Sequence, residues 1–567
     1  VPVTDPTIAE LHERLREATR GPLPPNTELL KDVYIPLRDG IRLCADVYRP
    51  SGSVKCPVIL SIAPYIKELQ QNPPLLTHSI EAGPTDALIE SGYIHVIATH
   101  RGAGQSQGQY NHISATEQAD LYDVVEWLAK QAWCDGNVGM IGDSHYAVNS
   151  LWAAVQQPPS LRCVIPYDAM SDFYRDFAYP GGVFKSRFLS IWYIDSTEQF
   201  QWPGPVDGRL PPANQLQDFI ENPFDGPYWW ERSLRTQLDR IKIPVLHIVP
   251  ISPVHTRGQL WAYPRTNTNK KLVVTPVTHP NKGHWLFLLS EPLKAYMIQW
   301  LDHWMKGIDT PIVHEPEVAI FDPGLNEWRY ENEYPLERTE WTNFYLSGNG
   351  AALPYGSLGK DKPTDPHSCD SYEIPDWPTV EAGRPVLAYQ SNVLERPLKL
   401  WGPLSATVYA STTSTDTAWF VKVGDVAPDG KLTLLTNGVL KASMRELDPE
   451  LSQPGRPFHR FTRRELPESG KIYEYQIEMR PLFHTLKKGH RLWCQIQSND
   501  PVNINFLHTV YNTEMLPYPA TNTIHHSLEY PSHLALPVIP DAPEIAPVSS
   551  PLKDVCWPIK GLAWDAH

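Results

Sequence analysis

The sequence lacks several features that would commit it to a class. No run of roughly eighteen apolar residues occurs, so no membrane-crossing helix is expected. Only seven cysteines are spread over 567 residues, at 44, 56, 134, 163, 369, 494 and 556. They are odd in number and never at C-x-x-C spacing, which argues against a zinc site or a disulfide framework. No N-x-S/T sequon occurs. Positive charge is scarce as well: Lys and Arg number 49 against 64 Asp and Glu, a formal net charge of −15. A nucleic-acid partner would call for a basic face, so that class is set aside. The opening VPVTDPTIAELHERL is polar and helical in character, with no signal-like apolar stretch. These absences imply a cytoplasmic protein with no metal, no cofactor, no nucleic acid and no membrane. The expected partner is a small-molecule substrate, and a homodimer stays open.

What is present points to a large folded body. A chain of 567 residues, 41% hydrophobic and 20% charged, is too long for one core and suits two to four domains. Its 57 prolines and 19 tryptophans fit many loops and broad packed interfaces. Residues 33–50 form two alternating runs around Asp39-Gly40, a hairpin signal. Short apolar runs at 58–62 and 93–99 read as buried strands. Residues 117–132 place Leu121, Val124, Val125 and Leu128 on one helical stripe. A strand at 138–142 runs into Asp143-Ser144, and a helix follows until Pro158-Pro159. Such alternation predicts a mostly parallel sheet covered on both faces.

The pattern changes at about 167–240, where Tyr167, Phe173, Tyr174, Phe177, Tyr179, Phe184, Phe188, Trp192 and Tyr193 crowd without strand alternation. This segment reads as an inserted helical cap. Strands resume at 244–251 and 271–276, and a closing helix follows with Leu293, Met297, Trp300, Leu301 and Trp304 at helical spacing before Gly307. Beyond about 345, runs at 398–412, 418–423, 431–435, 472–479 and 490–497 predict an all-β jelly roll. The expected layout is an α/β-hydrolase domain (1–166 and 241–345), a helical cap (167–240) and a C-terminal jelly-roll β-sandwich (346–567).

The chemical signal lies in Gly139-Met140-Ile141-Gly142-Asp143-Ser144-His145-Tyr146-Ala147. A serine between strand and helix, two residues after a glycine, can form a nucleophile elbow that lifts its hydroxyl above the sheet. The closing glycine of G-x-S-x-G is absent, because Tyr146 stands there. The plainer reading is a helix N-cap serine. Serine needs a histidine to take its proton, and such folds place it after the last sheet strand, where His279 stands. His284 competes, but its nearness to the closing helix favours a structural role. Asp143-Ser144-His145 imitates a triad, yet adjacent side chains diverge at a sharp turn. The His145 backbone N–H is better suited to an oxyanion hole, with its ring lining the pocket.

At these residues the chain resembles the cocaine-esterase and X-prolyl dipeptidyl-peptidase (CocE/NonD) hydrolases. The resemblance is carried by PLRDGIRLCADVYRP near the start, HRGAGQSQG at 100–108, EWLAKQAWCDGNVGMIGDS at 126–144 and LVVTPVTH at 272–279. It continues in GVLKASMRELDPE at 438–450 and KKGHRLWCQIQSND at 487–500. It implies Ser144 as nucleophile, His279 as base and Tyr65 as an oxyanion donor beside the His145 N–H. Tyr65 alone would read more simply as a buried, once-bonded tyrosine.

The family's triad acid follows the strand equivalent to 244–250, but here that segment reads VPISPVHTRG, with Ser252 at the acid position. No carboxylate lies between Arg240 and Glu291. Asp168, after the strand that follows the nucleophile helix, is the candidate substitute; a cap or loop contact is its plainer role. Asp143 and Glu90 are weaker candidates. His100 stands where the family often has aspartate, which implies a rewired hydrogen-bond network there.

The leading reading is a serine hydrolase of esters or amides of a largely apolar small molecule, with Tyr167, Phe173, Phe177 and Trp192 lining the pocket. The alternative is a non-hydrolytic enzyme (cyclase, isomerase or acyl transferase) reusing that pocket for want of the usual acid. An inactive scaffold is disfavoured by the intact serine, tyrosine and histidine. X-prolyl dipeptidase activity is disfavoured because no acidic clamp for a peptide amine stands out.

Overall fold

Short apolar strands separated by amphipathic helices can bury both faces of a sheet only if the helices lie above and below it. The computed structural model has that arrangement, and it describes residues 23–52, 54–71, 81–201, 206–251, 255–276, 286–288, 290–348, 356–374, 386–498, 519–543, 545–547 and 549–555. The first sheet has ten strands: β1 (Thr27–Pro36), β2 (Arg42–Pro50), β3 (Cys56–Ala63), β4 (Ile94–Thr99), β5 (Cys134–Asp143), β6 (Leu161–Tyr167), β7 (Val245–Pro250), β8 (Lys270–Thr275), β9 (Val318–Asp322) and β10 (Glu327–Glu331). Their order is β1-β2-β4-β3-β5-β6-β7-β8-β9-β10. The run from β4 to β9 is parallel, while β1, β2 and β10 pair antiparallel at the edges. The β1–β2 hairpin turns at Gly40 (φ 84), where Asp39-Gly40 predicted it.

β3 and β4 are buried along their whole length, as central parallel strands should be. Helix Ala115–Ala129 opens with a capping box between Ser114 and Glu117 and buries Leu121, Val124, Val125 and Leu128 against the sheet. Each such side chain contributes about 1.5–3 kcal/mol by leaving water. The opposite face is closed by helix Glu291–Lys306, which buries Leu293, Met297, Trp300 and Leu301 and ends at left-handed Gly307. None of the described helices is long and apolar enough to cross a membrane. The six cysteines described are free.

Between β6 and β7 the chain forms the cap from short helical pieces, including Phe173–Ala178, Ser186–Tyr193, Gln215–Glu221 and Pro227–Arg232. The second sheet starts at Glu340, six residues ahead of the boundary read from the sequence, and holds eleven strands. Strand Leu398–Thr412 pairs with Tyr473–Leu486 on one side and with His533–Val538 on the other, so the sheet closes on itself. The described strands therefore draw a barrel where the sequence suggested a two-sheet jelly roll. A fifteen-residue strand with partners along both edges has this effect, and strand signals alone do not encode partner choice.

Candidate active site

The elbow is built from strain and one glycine. β5 ends at Asp143 and helix His145–Gln156 begins one residue later, leaving Ser144 alone at φ 57, ψ −115. This conformation costs a non-glycine residue about 1–3 kcal/mol and persists only where the surroundings impose it. Here the Ser144 N–H donates to the Tyr167 carbonyl (2.9 Å), and the Ser144 carbonyl accepts from Val148 (3.0 Å). A Cβ on Gly142 would lie 2.1 Å from the Tyr146 Cβ. The turn therefore admits a side chain at 146 only because 142 has none, which explains how Tyr146 replaces the usual closing glycine. The N-cap reading of Ser144 fails on one observation. Its side chain makes no capping hydrogen bond, while its neighbours Asp143 and His145 are buried.

Tyr65 follows β3 and is buried, its hydroxyl accepting from the Trp192 indole N–H at 3.0 Å. Burial, and secondarily Glu81, holds its pKa well above the ordinary tyrosine value. The phenol thus keeps its proton and can donate it to a developing oxyanion. The Tyr65 ring stands edge-on to His145 at 5.9 Å. As the first helical residue, His145 has a backbone N–H that the helix itself leaves unbonded. Its imidazole is held neutral by burial first, then by His100 and His255. His100 accepts at Nε2 from Asn149 (2.8 Å), which also donates to the Ile62 carbonyl.

Asp168 sits one residue beyond β6 at φ 54, its N–H bonded to the Ile248 carbonyl (3.0 Å). Its Oδ2 lies 3.3 Å from His255 Nδ1, with both side chains buried. Oδ1 is buried without a hydrogen-bond partner among the described residues. Gln259 locks the pair: it accepts from the Ala169 N–H (2.8 Å) and donates to the Pro166 carbonyl (2.7 Å) from helix Thr256–Ala262, which begins right after His255. Because Tyr167 receives the Ser144 N–H, Asp168 and His255 stand on the same rim as the nucleophile. Sequence reasoning missed His255, since a single histidine in a loop carries no periodic signal. Ser252 and His279 lie outside the described residues, as does His284.

Three of the four expected pocket aromatics converge. Phe173, Phe177 and Trp192 surround the His112 ring at 4.4, 5.9 and 5.2 Å, with Phe219 at 5.1 Å. His112 was also missed; it is fully buried, accepts or donates at Nδ1 with Tyr110 (2.9 Å), and sits 5.6 Å from His145. Tyr167 is a correction. Its ring packs on Phe287 (4.9 Å), in the core beneath the helix Glu291–Lys306, because strand alternation at the end of β6 turns it away from the cap.

A serine, histidine and aspartate together do not make a site. In the barrel, Ser368 Oγ and the Gly348 N–H both approach His526 Nδ1 (2.9 and 3.2 Å), and His526 Nε2 bonds Asp370 (2.9 Å). This set pins neighbouring strands and has no strained turn to present the hydroxyl.

Comparison with known proteins gives the family. A family model described as X-Pro dipeptidyl-peptidase (S15 family) matches residues 39–281, and one for the X-Pro dipeptidyl-peptidase C-terminal non-catalytic domain matches 312–535. The chain belongs to the CocE/NonD, X-Pro dipeptidyl-peptidase-like family. It is 29% identical to a cocaine esterase of Rhodococcus sp. (strain MB1 Bresler), over 91% of this chain and 99% of that one. It is 25% identical to a putative serine esterase of Mycobacterium bovis, over 89% and 95%. A CocE/NonD family hydrolase from Staphylococcus aureus superposes with a TM-score of 0.79 at 23% identity, covering 90% of this chain and 93% of that one. That likeness speaks for the fold: an α/β-hydrolase with a C-terminal non-catalytic domain. The protein is accordingly a CocE/NonD-like hydrolase.

Proposed function

We propose that this hydrolase cleaves an ester or amide of a small molecule through a covalent acyl-serine at Ser144. The observation that carries the reading is the strained, uncapped Ser144 beside two oxyanion donors, the Tyr65 hydroxyl and the His145 N–H. Ser144 attacks the carbonyl, a histidine takes its proton, and the same histidine returns it to the leaving group. Water then releases the acyl group. The resemblance assigns the base to His279, and Asp168 supplies the missing acid. In support of that, Asp168 has a buried oxygen without a described donor and stands on the nucleophile's rim. The ring cluster around His112 would receive an apolar part of the substrate. The cyclase, isomerase or acyl-transferase alternative has no support among the known relatives.

A chromogenic acyl-ester assay combined with a serine-directed phosphonate tests this reading. Turnover with labelling at Ser144 is expected; no turnover by the wild type on any ester or amide tried would sink it. Tyr65→Phe removes one oxyanion donor and is expected to lower kcat about 10²–10³-fold with little change in KM. A fall in KM affinity alone would move Tyr65 to a binding role. The two histidines separate in the same assay. His279→Ala is expected to cost about 10³-fold or more, and His255→Ala about 10–100-fold through a loosened Asp168. The reverse order would transfer the proton shuttle to His255.

A further inference from the structure

A cavity of about 70 Å³ lies between the cap and the barrel, away from the His112 ring cluster. Its lining includes Arg175, Lys185, Arg257 and Arg480, against the carboxylates of Asp176 and Glu478. The carboxylates are already committed. Asp176 bonds Arg257 (2.7 Å) and the backbone N–H groups of Ser171 and Asp172, and Glu478 bonds the other side of Arg257 (2.9 Å). Arg175 is likewise held by Asp172 and Asp225 from behind the wall. Lys185 differs. It is 1% exposed, its Nζ lies 4.4 Å from the Phe188 ring centroid, and that Nζ has no hydrogen bond or ion pair among the described residues.

An ammonium group removed from water without a partner is costly, so such sites are completed by an anion or hold a neutral amine. Burial first, then Arg480, pushes the Lys185 pKa well below its ordinary value. The two lining carboxylates are both held by Arg257, and Asp168 acts on the amine only through space, so Nζ has room for one negative group. We propose that the cavity between cap and barrel binds the carboxylate of a small organic acid, with Lys185 as its receptor. Phosphate, a dianion near neutral pH, would exceed the one uncommitted positive charge. Two aromatic rings separate the cavity from the catalytic rim: Phe188 packs on Phe177 (5.6 Å), and Phe177 stacks on His255 (6.4 Å). The carboxylate can therefore belong either to the substrate itself or to a separate acid, and the two sources are separable.

Calorimetry on the full chain, with the monoanion butyrate, neutral butyramide and inorganic phosphate as probes, tests the site without reference to hydrolysis. Ser144→Ala protein serves as a parallel sample. Saturable butyrate binding is expected, absent for butyramide and at least tenfold weaker in Lys185→Met, with Lys185→Arg restoring most of it. Lys185→Met, which removes an unpaired buried amine, should melt no lower than wild type, so lost binding will not be lost folding. No butyrate binding by the wild type, equal binding by Lys185→Met, or tighter binding of phosphate than of butyrate would overturn the proposal. A second arm rests on the esterase reading: it compares an ester bearing a remote carboxylate with its neutral amide. A tenfold or greater fall in that selectivity in Lys185→Met assigns the carboxylate to the substrate, and an unchanged selectivity with lost butyrate binding assigns it to a separate acid.

Discussion

Ser144→Ala should lower the turnover of chromogenic acyl esters by about 10⁴–10⁶-fold, leaving only what binding and the oxyanion donors achieve alone. The magnitude follows from the covalent step: without Oγ no acyl-enzyme forms, and water must attack the carbonyl directly. The substitution is structurally mild. The hydroxyl caps nothing, and the backbone bonds to Tyr167 and Val148 survive. Alanine inherits the same φ of 57, so thermal stability should change little. Steady-state kinetics together with a melting curve check both halves. Retention of more than a hundredth of wild-type turnover would remove Ser144 from the chemistry.

Asp168→Asn should cost about 10³–10⁴-fold in kcat, because an uncharged amide neither supports an imidazolium nor fixes its tautomer. Asparagine is the informative replacement. It tolerates the positive φ of 54 at this position and leaves the Asp168 N–H bond to Ile248 in place. Alanine would add backbone strain to the lost charge and confuse the two. A loss below tenfold, in a variant that melts like wild type, would reduce Asp168 to a clamp on the His255 loop.

The local devices of this protein were legible because each is written in adjacent residues. Asp39-Gly40 marked the first hairpin, the Leu121–Leu128 stripe marked the helix on the sheet, and Gly307 marked the end of the closing helix. The elbow was legible for the same reason: Gly142, Ser144 and the strand–helix change lie within a few positions. Pairings over long separations were not. Asp168 and His255 are 87 positions apart, and their contact depends on β6 and β7 lying side by side with Gln259 bracing the turn. Tyr167 was misplaced because an aromatic-rich stretch hides which face each ring takes, and strand alternation decided that.

The sequence by itself determined the sheet-and-helix alternation, the serine elbow and the family, since these rest on local pattern and on motifs in fixed order. Only the tertiary structure decided the barrel closure, the partner of Asp168, the packed imidazole-and-aromatic cluster around His112 and the unpaired Lys185 amine. Each of these depends on which groups meet after burial, where a low dielectric makes every missing or added partner count.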